Sequence, residues 1–113
     1  MDGQMEKLDR NILDWIAQKA DNEALTAQIL SAKQVKRDYM RTGFFVYFAV
    51  DEDLPLLDNG LRLRSPDILS AELMDGGGTT LFLRNGRLHY LEIYARGGFF
   101  PEHLDDYQLA SAS

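Results

Sequence analysis

The sequence predicts an α+β fold, with two N-terminal helices packed on a curved antiparallel sheet of five or six strands, ordered as a meander. Three observations carry that expectation. Residues 1–32 hold no proline and one glycine, and their apolar side chains recur at helical spacing. Phe44 to Val50 is an unbroken run of seven aromatic and aliphatic residues, the signature of a strand buried on both faces. Asn85-Gly86 separates two strand-like runs and is the strongest short hairpin signal in the chain.

In the first helix Met5, Leu8, Ile12, Trp15 and Ile16 form one apolar stripe. Asp21 then reads as the cap of a second helix, with Asn22 and Glu23 in its acidic first turn and Leu25, Ile29 and Ala32 as its stripe. Residues 1–32 thus form a helical hairpin. Residues 34–41 are compatible with helix or strand, and strand is favoured because it gives Phe44–Val50 a hairpin partner across Thr42-Gly43. Leu61-Arg62-Leu63-Arg64 alternates like a strand, as do residues 68–74, with Asp75-Gly76-Gly77-Gly78 as a turn. Residues 79–84 and 87–94 flank Asn85-Gly86 and complete a sheet over 34–95. Residues 96–113 read as an irregular tail of the same single domain, 1–113.

A two-residue turn sets the hairpin register. Arg84 is expected opposite Arg87, Leu83 opposite Leu88, Phe82 opposite His89, Leu81 opposite Tyr90, and Thr79 opposite Glu92. Leu81, Leu83, Leu88, Tyr90, Glu92 and Tyr94 then share one face, and Phe82, His89, Leu91 and Ile93 the other. Neither face is polar, so both need cover, and two short helices cover one. The other side is expected to curl on itself, to lie under Phe99-Phe100-Pro101, or to meet a partner, a second copy making a homodimer.

The chain has 113 residues, 45% of them apolar, no cysteine, and a net charge of −6. That composition excludes disorder, a disulfide scaffold and a thiolate metal site. No apolar run approaches the ~20 residues of a membrane helix, and the N-terminus lacks a signal peptide's basic and apolar regions, so a soluble, cytoplasmic protein is expected. Twelve basic against eighteen acidic residues argue against nucleic-acid binding. The acids cluster at Asp51, Glu52 and Asp53 and at Glu102, Asp105 and Asp106, candidate contacts for a basic partner or simply solvated loops.

No catalytic constellation, cofactor motif or metal-ligand spacing emerges. There are two histidines, His89 and His103; the Gly76-Gly77-Gly78 turn lacks the residues of a phosphate loop. Glu92, a carboxylate among tyrosines, has two readings: a structural acid bonded to a neighbour, or a group in a pocket. The pocket would be lined by Tyr47, Tyr90, Glu92 and Tyr94, with Arg37 or Arg41 as counter-charge to a small ligand.

Arg37, Thr42-Gly43-Phe44-Phe45, Leu81-Phe82, Asn85-Gly86-Arg87 and Leu91-Glu92-Ile93-Tyr94, taken in this order over residues 35–101, resemble small uncharacterised bacterial proteins. Some proteins of that appearance are immunity-type partners of secreted toxins. The resemblance implies a small α+β fold and a binding role, and carries no catalytic residue. The expected function is therefore non-enzymatic protein–protein contact, immunity-like in its narrowest form, with the tyrosine-lined ligand or enzymatic pocket as the alternative.

Overall fold

Helix α1 (Lys7–Ala20) buries Leu8, Ile12, Leu13 and Ile16 along the stripe its spacing predicts. It ends at Asp21, which adopts a left-handed conformation (φ 47°) and donates its N–H to the Ala17 carbonyl. Asp21 is therefore spent closing α1, and Asn22, one residue later than expected, caps α2 (Glu23–Ser31) by accepting the Leu25 N–H at 2.9 Å. The computed structural model describes residues 5–58 and 60–112.

Six strands follow: β1 (Lys33–Tyr39), β2 (Gly43–Ala49), β3 (Asp67–Leu69), β4 (Gly77–Arg84), β5 (Arg87–Ala95) and β6 (Gln108–Ala110). They form one open antiparallel sheet in the order β1-β2-β5-β4-β3-β6. Hairpins keep β1 beside β2, and β3, β4 and β5 side by side; the 50–66 and 96–107 connections join strands that are not neighbours. The strand reading of 34–41 holds for its first part, since β1 begins at Lys33 and stops at Tyr39. Gly43 is required where β2 passes β5, because a Cβ there would meet the Ile93 carbonyl oxygen.

Three expected elements change. Residues 61–64 form no strand: Leu61 and Leu63 pack inward and Arg62 and Arg64 stay exposed, so the alternation records burial without a ladder partner. Of 68–74 only the start is strand, because Ser70 Oγ accepts the Glu72 N–H and the chain turns through Leu73 to Gly76. The tail is not wholly irregular, as β6 pairs with β3 at the sheet edge.

The largest correction lies inside the β4–β5 hairpin. Arg84 pairs with Arg87 and Leu83 with Leu88, as the turn dictates, but Phe82 pairs with Tyr90. His89 is an extra residue, a β-bulge, and every later pair shifts by one. Leu81 now opposes Leu91 and Thr79 opposes Ile93. The aliphatic residues Leu81, Leu88, Leu91 and Ile93 consequently share the helix-covered face, where each is buried. Phe82, His89, Tyr90, Glu92 and Tyr94 take the opposite face.

The helix side is completed by Phe44, Val46 and Phe48 of β2, and by Phe100, fully buried and edge-on to Phe44 at 5.6 Å. Phe100 thus turns towards the helices and leaves the far side of the sheet uncovered, against one of the expected solutions. Phe44–Val50 is buried on one face only, with Phe45 and Tyr47 half-exposed on the other. Principal extents of 40 × 34 × 19 Å fit one helical layer on one sheet.

Candidate functional site

Two polar constructions hold the helices in register with the sheet, and neither was anticipated from the sequence. Gln28 of α2 is buried; its amide donates to the carbonyls of Pro55 and Gly86 at 3.0 Å each, and its oxygen accepts the Leu88 N–H at 3.0 Å. It pins the β4–β5 turn where the hairpin enters the bulge. Asp9 of α1 is also buried and accepts from Arg37 Nε at 2.9 Å and from Arg37 Nη2 at 3.3 Å. The Arg37 guanidinium lies 3.8 Å from the centre of the Phe44 ring. Burial raises the Asp9 carboxyl above its ordinary value, and the hydrogen bond and charge of Arg37 offset this only in part. The sequence held a signal: Asp9 stands three, four and seven residues before Ile12, Leu13 and Ile16, inside the apolar stripe.

The open face of the sheet carries the other concentration of chemistry, and the registers arrange it in rows across β1, β2, β5 and β4. One row is Asp38, Phe45, Glu92 and Thr80. The next is Lys36, Tyr47, Tyr90 and Phe82. Towards the hairpin end come Lys33, paired with Ala49, and then Arg84 and Arg87, which alternation from the inward Leu83 and Leu88 sends to this side. The face therefore reads acidic, aromatic and basic along the strands.

Tyr90 is the centre of the aromatic row. Its ring is stacked on Phe82 (centroids 4.5 Å apart, planes at 17°) and leans on Tyr47 at 5.4 Å on its other side. Phe45 and His89 meet it at 5.9 and 5.1 Å, and Lys36 Nζ lies 5.7 Å from the Tyr47 ring centre. Parallel rings 4.5 Å apart must stand face to face, since side by side they would overlap. Tyr90 and Phe82 therefore stand on the sheet, with edges outward and facing sides against each other.

Of the residues expected to line a pocket, Tyr47, Tyr90, Glu92 and Tyr94 do share this face. Arg37 does not; it points to the helix side and is engaged with Asp9. Arg41 lies in the β1–β2 turn (φ 61°) with its guanidinium 5.5 Å from the exposed Phe99 ring. Tyr47 and Tyr90 do not line the depression that Glu92 and Tyr94 share. Tyr94 lies over Gly78, where a Cβ would collide with its ring. The depression nearest Glu92 is shallow, about 210 Å³, and lined by Met40, Thr42, Gly43, Phe45 and Tyr94 among others. No hydrogen bond or ion pair of the Glu92 carboxylate occurs among the described residues.

The acidic clusters are both exposed but do not form one surface. Asp51, Glu52 and Asp53 follow the C-terminal end of β2. Glu102, Asp105 and Asp106 follow Phe100, whose N–H reaches the Arg41 carbonyl beyond the opposite end of that strand. About 20 Å of β2 separates the two ends. Among the described residues no group of three or more His, Asp or Glu is arranged to hold a metal ion, and no helix is long and apolar enough to cross a membrane. No family model matches the chain, and no curated protein or solved structure is significantly similar to it.

Proposed function

We propose that this protein works without catalysis, by protein–protein contact through the open face of its sheet. The orientation of the aromatic ladder carries the reading. A nucleobase or a sugar ring binds to the flat side of an aromatic residue, whereas the facing sides of Phe82 and Tyr90 are spent on each other and Tyr47 flanks Tyr90. Outward ring edges, set among Thr80, Glu92 and Lys36, suit the apolar centre and polar border of a protein interface. An immunity-like role, as the resemblance implies, is the narrower form of this reading, with a toxin as the partner.

Photo-crosslinking from the face tests it. With Phe82 replaced by a photoreactive benzophenone analogue, irradiation in cells is expected to give a covalent protein adduct. Adducts only to nucleic acid or lipid, or none, overturn the reading. A small-ligand site at the depression beside Glu92 and Tyr94 is the second reading, favoured by the unengaged Glu92 carboxylate. It requires Glu92→Gln to abolish binding of a small polar ligand while the melting temperature is kept.

A further inference from the structure

We propose that the partner on the open face is a second copy of this chain, docked face to face about a two-fold axis that runs across the strands. The inference rests on the reading of that face as a protein contact and adds the identity of its occupant. The pattern of the rows supplies it. A two-fold axis crossing the strands at the aromatic row keeps each strand over its counterpart and reverses its direction. Lys36, Tyr47, Tyr90 and Phe82 then lie over the same row of the other copy, Lys36 facing its own counterpart at the edge strand. The acidic row of one copy falls on the basic row of the other.

Asp38, on β1, comes over the partner's Lys33 on its own β1, and Glu92 comes over the partner's Arg87 on β5. Symmetry repeats both pairs, so one arrangement creates four complementary charge contacts, in which Asp38 is shared with its own Lys36 at 3.4 Å and Arg87 with the Glu52 carbonyl at 3.4 Å. An axis along the strands would instead place Lys33, Arg84 and Arg87 over the same basic row. The face is thus the better complement of itself in the first orientation, where Lys36 alone meets its like, and is repulsive along the basic row in the second.

Four strands at ~4.8 Å and three rows ~7 Å apart give a flat footprint of about 400 Å². Relief of the side chains enlarges it, which makes a small interface beside the ~800 Å² that each partner of a standard one buries. Face-to-face packing of two twisted antiparallel sheets is itself a stable arrangement. It would also cover Phe82, 36% exposed, and give the unengaged Glu92 carboxylate a cation.

Sedimentation equilibrium on the full chain tests the proposal. The wild type is expected at twice 12.9 kDa at tens of micromolar. Glu92→Arg and Arg87→Glu each place like charges together twice and should weaken the dimer at least tenfold, while the two combined restore it. Asp38→Lys and Lys33→Glu repeat the swap on the exposed edge strand, independently of how well the Glu92 variant folds. A monomer up to about millimolar concentration overturns the proposal, as does a dimer indifferent to both swaps. Single reversals that weaken the dimer without rescue in the combined variant overturn the arrangement. Crosslinking from position 82 separates this proposal from the reading beneath it. An adduct of twice the chain mass supports both. An adduct of any other protein, with the chain monomeric, removes the second copy and leaves the contact role. No protein adduct removes both.

Discussion

The two faces of the central strands are built from the same backbone and solve opposite problems. Between the helices and the sheet, Leu81, Leu88, Leu91, Ile93, Val46 and Phe44 are buried, and the ionic contact of Asp9 with Arg37 is enclosed and bonded at both carboxylate oxygens. On the other side the residues are as bulky but half-exposed, and the charges stand in rows. Bulk alone therefore does not distinguish an interior from an interface. What differs is chemistry: aliphatic side chains and phenylalanines closed over an enclosed ion pair on one face, tyrosines, Phe45 and Phe82 with charged borders on the other.

The largest effect expected on the covered face comes from Arg37. Its removal in Arg37→Met leaves the Asp9 carboxylate buried without a cation, a loss of about 3–5 kcal/mol near neutral pH. The pH dependence follows from the direction of the Asp9 shift. A carboxyl raised in the folded state contributes fully to stability below its unfolded value, near 3.8, and that contribution is lost as pH rises through the raised value. Without Arg37 the value rises further. The penalty of Arg37→Met, measured by urea unfolding, should therefore be greatest near neutral pH and shrink on acidification, as Asp9 takes up a proton. A penalty that grows on acidification would show that Asp9 is not the group left exposed to the loss.

Next in size is the contrast between neighbouring residues of β5. Leu91→Ala removes a fully buried side chain and should cost about 2–5 kcal/mol. Tyr90→Ala, one residue away on the open face, should cost about 1 kcal/mol in the monomer, roughly the worth of its aromatic contacts. Chemical unfolding in the low micromolar range checks this, since mass action would add the interface to the Tyr90 value at higher concentration. Equal losses at low concentration would mean that the open face is part of the core.

Much of the fold was legible because its signals are local. Helical periodicity placed α1 and α2, the apolar run placed β2, and Asn85-Gly86 placed the hairpin. Pairings between distant segments were less accessible: the 61–64 alternation came from packing against the core, and β6 depends on β3 reaching the tail. The site was legible in its membership and not in its geometry. Tyr47, Tyr90, Glu92 and Tyr94 do share a face, as their spacing requires. Arg37 was misplaced because the β1–β2 register sets it opposite the inward Val46, and because the buried Asp9 claims the guanidinium. The apparent need to cover two apolar faces arose from His89, a residue that no local signal marks as extra.

That residue gives a small effect and the sharpest check on how the two faces are kept apart. In the hairpin His89 is unpaired on β4, with Phe82 opposite Tyr90 and Leu83 opposite Leu88. Deleting it would let Tyr90 follow Leu88 directly, and both pairs would persist in a regular ladder. Every aliphatic residue would remain on the helix side. The deletion should therefore be tolerated, with a change of about 1–2 kcal/mol from the altered local twist, the lost ring contacts to Tyr47 and Tyr90, and any strain at the turn. Deleting Thr80, a paired residue of β4, has the opposite consequence. It puts the two ends of β4 out of phase, so that either Leu81 or Thr79 must leave the covered face, and cooperative unfolding should be lost. Thermal unfolding of the two deletions followed by circular dichroism distinguishes them. If the His89 deletion unfolds as the Thr80 deletion does, the bulge is needed for folding itself and does more than absorb one residue between two faces.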